Sequence, residues 1–149
     1  MGEAWSALGT GTGIGGRINV LPGEVSAVEG SFCRVLLGEG EEGAQENGVP
    51  LVAVGHDLEV GDRVLATIGA EEIALAVGEI GETSIQNRFE TTIERRFDHD
   101  GATVVELRLS KGARLLVEIT TRSAESLSLE VGKSVIGLTK ASAITLAKV

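Results

Sequence analysis

Val60-Gly61-Asp62-Arg63-Val64, followed by Gly69-Ala70 and Ile73, returns 71 positions later as Val131-Gly132-Lys133-Ser134-Val135, followed by Lys140-Ala141 and Ile144. An internal repeat decides the architecture before any single element does, because each copy is one folding unit. Upstream the copies agree again, Asn19-Val20-Leu21 answering Asn87-Arg88-Phe89, although only the second is preceded by Thr83-Ser84-Ile85-Gln86. Where the second copy has Lys140 the first has Gly69. The halves therefore share a fold and differ in chemistry.

Working outward, the second copy alternates with period two. Thr92–Phe97 leads to a turn at Asp98-His99-Asp100-Gly101, then Val105, Leu107 and Leu109 alternate with Glu106 and Arg108. A second turn, Ser110-Lys111-Gly112, opens Arg114–Ile119. The run from Thr120 to Leu129 suits a helix of one or two turns with hydroxyl residues at its start, ended by Gly132. Ser134–Thr139 and Ala143–Leu146 finish the unit. Five short strands with a small helix between the third and fourth outline an OB-like barrel.

The first copy repeats this with Leu21–Val28, Phe32–Leu37, Leu51–Val54, Arg63–Ile68 and Ile73–Val77. Gly38–Gly48, rich in Glu and Gly, reads as a solvated loop, and Gly55-His56-Asp57-Leu58 stands where the helix start would be. The expected fold is all-β: two tandem five-stranded OB-like barrels, with a short helix in the second. The divisions are a flexible Gly-rich leader over 1–16, a degenerate barrel over 17–80 and a ligand-bearing barrel over 81–149.

Composition narrows the function. The chain has 149 residues, a formal charge of −9 and 42% apolar but only 3% aromatic residues. Residues 1–80 carry 13 acidic and 3 basic side chains, against 9 and 10 in residues 81–149, so an anion prefers the second half. Phosphate backbones demand clustered Lys and Arg, and base stacking demands aromatic rings, which weighs against nucleic acid. The single Cys33 permits no internal disulfide and fits a reducing cytoplasmic setting. No apolar run reaches the length of a membrane span, so no direct membrane insertion is expected.

Catalytic sets are poorly supported. His56 and His99 fall in turns with no metal-ligand spacing around them, and no GxxxxGK[ST] stretch exists. The formal GxGxxG of Gly11, Gly13 and Gly16 lacks the flanking strand and helix that a dinucleotide site needs. No catalytic residue, free metal cation or organic cofactor is expected, and the chain is read as a non-enzyme. What remains is a group of donors: Thr83, Ser84, Thr120, Ser123, and Lys140 with Ala141-Ser142. A deprotonated tetrahedral oxyanion offers only acceptors, so N–H, hydroxyl and ammonium groups suit it. Equally, Thr120 or Ser123 could simply cap the helix, Thr83-Ser84 form a linker turn and Lys140 snorkel from a strand edge.

Thr83-Ser84-Ile85-Gln86-Asn87, then Ile119-Thr120-Thr121-Arg122-Ser123-Ala124, then Leu138-Thr139-Lys140-Ala141-Ser142, resembles the Mop or TOBE domain of molybdate-binding proteins. The resemblance covers about residues 82–147, with a degenerate version over about 17–77. It implies binding of molybdate or tungstate at contacts between barrels, often across subunits of a homo-oligomer. By position it assigns Ser84, Gln86 and Asn87 to one side of the oxyanion and Thr120, Ser123, Lys140 and Ala141 to the other. The family often has Arg where this chain has Gln86. With its weak first copy and a Thr-Ser-Ile opening to the ligand-bearing one, the chain most resembles the C-terminal regulatory region of molybdate ABC-transporter ATPases, here as a pair of barrels detached from its ATPase. The implied roles are oxyanion storage, homeostasis or transport regulation; the alternative is a protein-interaction module of a transporter ATPase that binds no ligand.

Overall fold

The computed structural model describes residues 16–38, 48–109 and 113–149. The leader apart from Gly16, most of the Glu/Gly loop and the Ser110-Lys111-Gly112 turn lie outside these ranges. The first repeat supplies β1 (Ile18–Glu29), β2 (Phe32–Leu37), β3 (Val49–Val54), β4 (Arg63–Gly69) and β5 (Ala74–Ala76). The second supplies β6 (Asn87–His99), β7 (Ala102–Arg108), β8 (Arg114–Thr120), helix α1 (Thr121–Ser126), β9 (Ser134–Thr139) and β10 (Ile144–Lys148). One 3-10 turn precedes each last strand, Ala70–Glu72 before β5 and Ala141–Ala143 before β10.

The repeated phrase builds the same corner twice. Gly61 and Gly132 adopt φ of 97° and 93°, where a side chain is strained. Each donates its N–H to the adjacent strand, Gly61 to Val25 O and Gly132 to Ile93 O, both at 2.8 Å. Val25 and Ile93 return N–H bonds to Asp62 O and Lys133 O. Just beyond these contacts β1 and β6 each carry a register shift, at Val25/Ala27 and Ile93/Arg95. The bend that such an irregularity adds helps a short sheet curl on itself.

The sheets do not follow the repeats. The first barrel closes in the order β1-β2-β3-β10-β4, and the second has the matching order β5-β9-β6-β7-β8. The expectation that each repeat completes its own barrel is thus corrected: β5 leaves the first repeat to pair with β9, and β10 returns to pair with β4. The reason lies in their apolar anchors. Ile73, just before β5, and Ile144, opening β10, are both fully enclosed, and either core accepts an isoleucine. β10 also meets β3 at Thr145↔Val54, closing the first barrel, whereas the three-residue β5 leaves a seam beside β8.

Alternation fills the cores. Val25, Cys33, Val35, Leu51, Ala53, Val64, Ala66, Ile68 and Ile144 form the first, and Ile73, Phe89, Ile93, Val105, Leu107, Leu115, Val117 and Val135 the second, in one continuous apolar cluster. Side chains this small interdigitate without aromatic rings. Gly23 and Gly55 mark close approaches: a Cβ on Gly55 would come within 2.8 Å of Leu58 and 2.9 Å of the Cys33 sulfur.

Two asparagines tie the barrels together. Asn19 of β1 donates to Leu116 O (2.9 Å) and Ile68 O (3.2 Å) and accepts from Leu116 N (2.7 Å). Asn87 of β6 donates to Val52 O (2.9 Å) and accepts from Val52 N (2.7 Å). Each amide therefore behaves as one residue of an extra strand, satisfying backbone on the side of β8 or β3 that faces away from its ladder partner. The pairings make Val52 and Leu116 equivalent, and Val54 and Glu118 likewise.

Candidate functional site

Ser84 and Gln86 lie in the linker between β5 and β6, and Lys140 and Ala141 at the junction of β9 with its 3-10 turn. β6 pairs with β9 from Asn87↔Thr139 onward, so linker and turn emerge side by side from the same end of one ladder. Together with Ser142, Glu29, Phe32 and Val52 they line an open pocket of about 360 Å³. Lys140 is exposed, precedes the 3-10 turn in extended conformation and makes no capping bond with its side chain. The Thr83 hydroxyl accepts from Ile85 N at 3.2 Å, which fixes the bend that presents Ser84.

Chemically the pocket offers the Ser84 and Ser142 hydroxyls, the Gln86 amide and one ammonium. Its carboxylate, Glu29, is met by Arg34 Nε at 3.4 Å, which offsets its charge toward an anion. Phe32 and Val52, from the first repeat, form the apolar wall. Sequence reasoning missed Glu29, Phe32 and Val52 because nothing along the chain signals that β2 and β3 abut the second repeat's turn. Ser142, adjacent to Lys140, was legible as a donor.

The other expected ligands stand elsewhere. Asn87 is 1% exposed and both polar atoms of its side chain are engaged with Val52, so its side chain serves the barrel junction. Thr120 caps α1: its Oγ1 accepts from Ser123 N (3.1 Å) and donates to Ser123 Oγ (2.9 Å). Both hydroxyls are exposed, and neither lines the pocket of Lys140. The structure thus brings four of the expected residues together at one pocket, Ser84, Gln86, Lys140 and Ala141; Asn87 borders it with its side chain held by Val52, and Thr120 and Ser123 stand outside its lining.

A larger groove of about 760 Å³ runs past Gly78, Glu90, Thr92, Arg108, Arg114 and Ser134. Its arginines are committed to Glu94, at 3.2 Å from Arg108 and 2.9 Å from Arg114, and Glu90 adds a further negative charge. The smaller pocket differs in that the side chain of its ammonium residue, Lys140, makes no capping bond.

The TOBE domain family model matches residues 83–146. The molybdenum import ATP-binding protein ModC of Aromatoleum aromaticum (strain DSM 19018 / LMG 30748 / EbN1) is 34% identical over 98 residues, which is 65% of this chain. The aligned region spans only 26% of that relative's length. The solved structure of the cytoplasmic molybdate-binding protein ModG with molybdate bound matches with a TM-score of 0.77 and 26% identity, covering 87% of this chain and 94% of that one.

Proposed function

We propose that this chain, whose residues 83–146 match the TOBE domain family model, binds a tetrahedral oxyanion, molybdate or tungstate, in the pocket of Ser84, Gln86, Lys140, Ala141 and Ser142. The observation that carries this reading is the convergence of the Lys140 ammonium with the Ser84 and Ser142 hydroxyls at one opening. A dianion accepts hydrogen bonds on every oxygen and donates none, so a shell of donors with a single cation recognises it and rejects neutral solutes. Capture by groups already in place is the whole mechanism, and no bond of the ligand is made or broken.

One ammonium leaves a dianion half neutralised, and the pocket is open on one side. Thr120 and Ser123 are exposed at another place on the molecule, and the Ser123 hydroxyl, which accepts from Thr120, keeps its own hydrogen as a donor for a neighbouring copy. The protein acts as a homo-oligomer in the cytoplasm, buffering the oxyanion or reporting its level to a molybdate transporter ATPase of the kind that ModC represents.

Calorimetric titration with molybdate, tungstate and sulfate tests the reading, and no saturable heat with any of them refutes it. Lys140→Ala removes a charged hydrogen bond worth about 1.5–3 kcal/mol, which weakens molybdate binding by roughly 10- to 150-fold. Gly69→Ala, at the equivalent point of the first repeat, leaves the affinity unchanged.

A further inference from the structure

The pocket of Lys140 contains a residue that an anion site has no use for. Glu29, the last residue of β1, lines it together with Phe32 and Val52, and its carboxylate repels any anion that enters. Lys140 and Glu29 cancel, so the lining side chains by themselves carry no net charge. A tetrahedral dianion needs a further cation.

One stands in the same wall. Arg34 is on the outward face of β2, two residues beyond Phe32, with the core residues Cys33 and Val35 on the opposite face. Its register partner on β3 is Val52, and the partner of Phe32 on β1 is Glu29. Cross-strand neighbours lie about 5 Å apart, within the length of an arginine side chain. Arg34 is not itself a lining residue, yet three lining residues surround it, and its Nε meets Glu29 Oε2 at 3.4 Å. The guanidinium is therefore already turned to the pocket's carboxylate. Its Nη1 and Nη2 groups meet no acceptor among the described residues.

This pair is easily exchanged. The side chains of Arg34 and Glu29 are 53% and 59% exposed, so their contact adds little stability and parts at little cost. Nor does the strand require a base at this point: the second repeat sets Glu106 against Leu116 where the first sets Arg34 against Val52.

We propose that Arg34 is the second cation of the Lys140 pocket, held at its wall by Glu29 and turned onto a dianion through Nη1 and Nη2 when one enters. This rests on the oxyanion reading of that pocket. The ammonium then comes from the second repeat and the guanidinium from the first, so the ligand is held between the two. Charge becomes a basis of selection: Lys140 alone neutralises a monoanion, and a dianion needs both groups.

The test is calorimetric titration of the full chain with molybdate, a tetrahedral dianion, and perrhenate, a tetrahedral monoanion, with thermal melts establishing that each variant is folded. Arg34→Gln weakens molybdate binding by about tenfold and perrhenate binding by much less. If Arg34 did no more than shield Glu29, its removal would cease to matter once that carboxylate is gone. The deciding comparison is therefore Glu29→Gln against Glu29→Gln/Arg34→Gln, whose molybdate affinities differ by about tenfold when Arg34 acts on the ligand. Equal molybdate affinities of these two folded variants overturn the second cation, and so does an equal loss for both anions in Arg34→Gln. Wild-type protein that binds no molybdate, or Lys140→Ala that binds it as tightly as wild type, overturns the oxyanion reading itself.

Discussion

Replacing Asn19 with alanine removes three hydrogen bonds at 2.7, 2.9 and 3.2 Å and strips Leu116 of the partners for both its N–H and its C=O. Asn19 is 2% exposed and Leu116 8%, so water does not take over readily. Net bonds of about 1 kcal/mol each, plus about 1–3 kcal/mol for stranding a buried backbone group, give a loss of roughly 4–6 kcal/mol. In a chain of this size that lowers the melting temperature by on the order of 10 °C. Asn87→Ala breaks two bonds to a less enclosed Val52 and costs about 2–3 kcal/mol. Asn19→Asp gives no rescue, because a carboxylate accepts from Leu116 N but faces two carbonyls with no hydrogen to give. Calorimetric melts measure the loss, and native-state hydrogen exchange locates it, with the Leu116 amide accelerated in Asn19→Ala and the Val52 amide in Asn87→Ala. A cost below about 1 kcal/mol for Asn19→Ala, with Leu116 exchange unchanged, refutes the assignment of these side chains as strand substitutes.

Gly61→Ala and Gly132→Ala each place a side chain at φ above 90° and destabilise the protein by more than about 1 kcal/mol, read as a lower urea midpoint at constant slope. Asp98, bonded by Arg96 and then by Thr103, is held below the ordinary carboxylate pKa. Its contribution is therefore full above the unfolded value and disappears as pH falls through the folded one, so urea midpoints of wild type and Asp98→Asn converge below about pH 4. Burial pushes the Cys33 thiol up, and an aromatic disulfide reagent at neutral pH labels it only after denaturation.

The sequence carried most of the strands, because short β segments with one buried face announce themselves by alternation. Phe32–Leu37 and Ser134–Thr139 run over the residues that their patterns suggest. β6 begins at Asn87, five residues before the segment that its alternation marks, because a buried polar residue opens it. The exchange of last strands left no trace: alternation tells which face of a strand is buried but not which barrel buries it, and Ile73 and Ile144 suit either. At the pocket, Ser84 and Lys140 were legible because hydroxyl and ammonium groups beside small residues have few structural duties. Asn87 had a structural duty, and its signal was Asn19. An asparagine kept by the copy that lacks the other donors points to backbone bonding and away from ligand contact.

The crossing of β5 and β10 makes the order of the chain a poor guide to what holds together. A break in the linker between Ala76 and Asn87 frees neither barrel, because each fragment still has a strand built into the other's sheet. A fragment comprising only the second repeat has the opposite difficulty: β9 lacks its outer partner and β10 has no barrel to complete. Two such fragments answer each other's deficiency by trading strands, so the smallest self-sufficient unit of this architecture is a pair of repeats, whether one chain supplies both or two chains supply one each. The pocket of Lys140 sits at the point of crossing, where Lys140 and Ala141 pass the chain from one barrel to the other, so the oxyanion proposed for it would brace the joint between them.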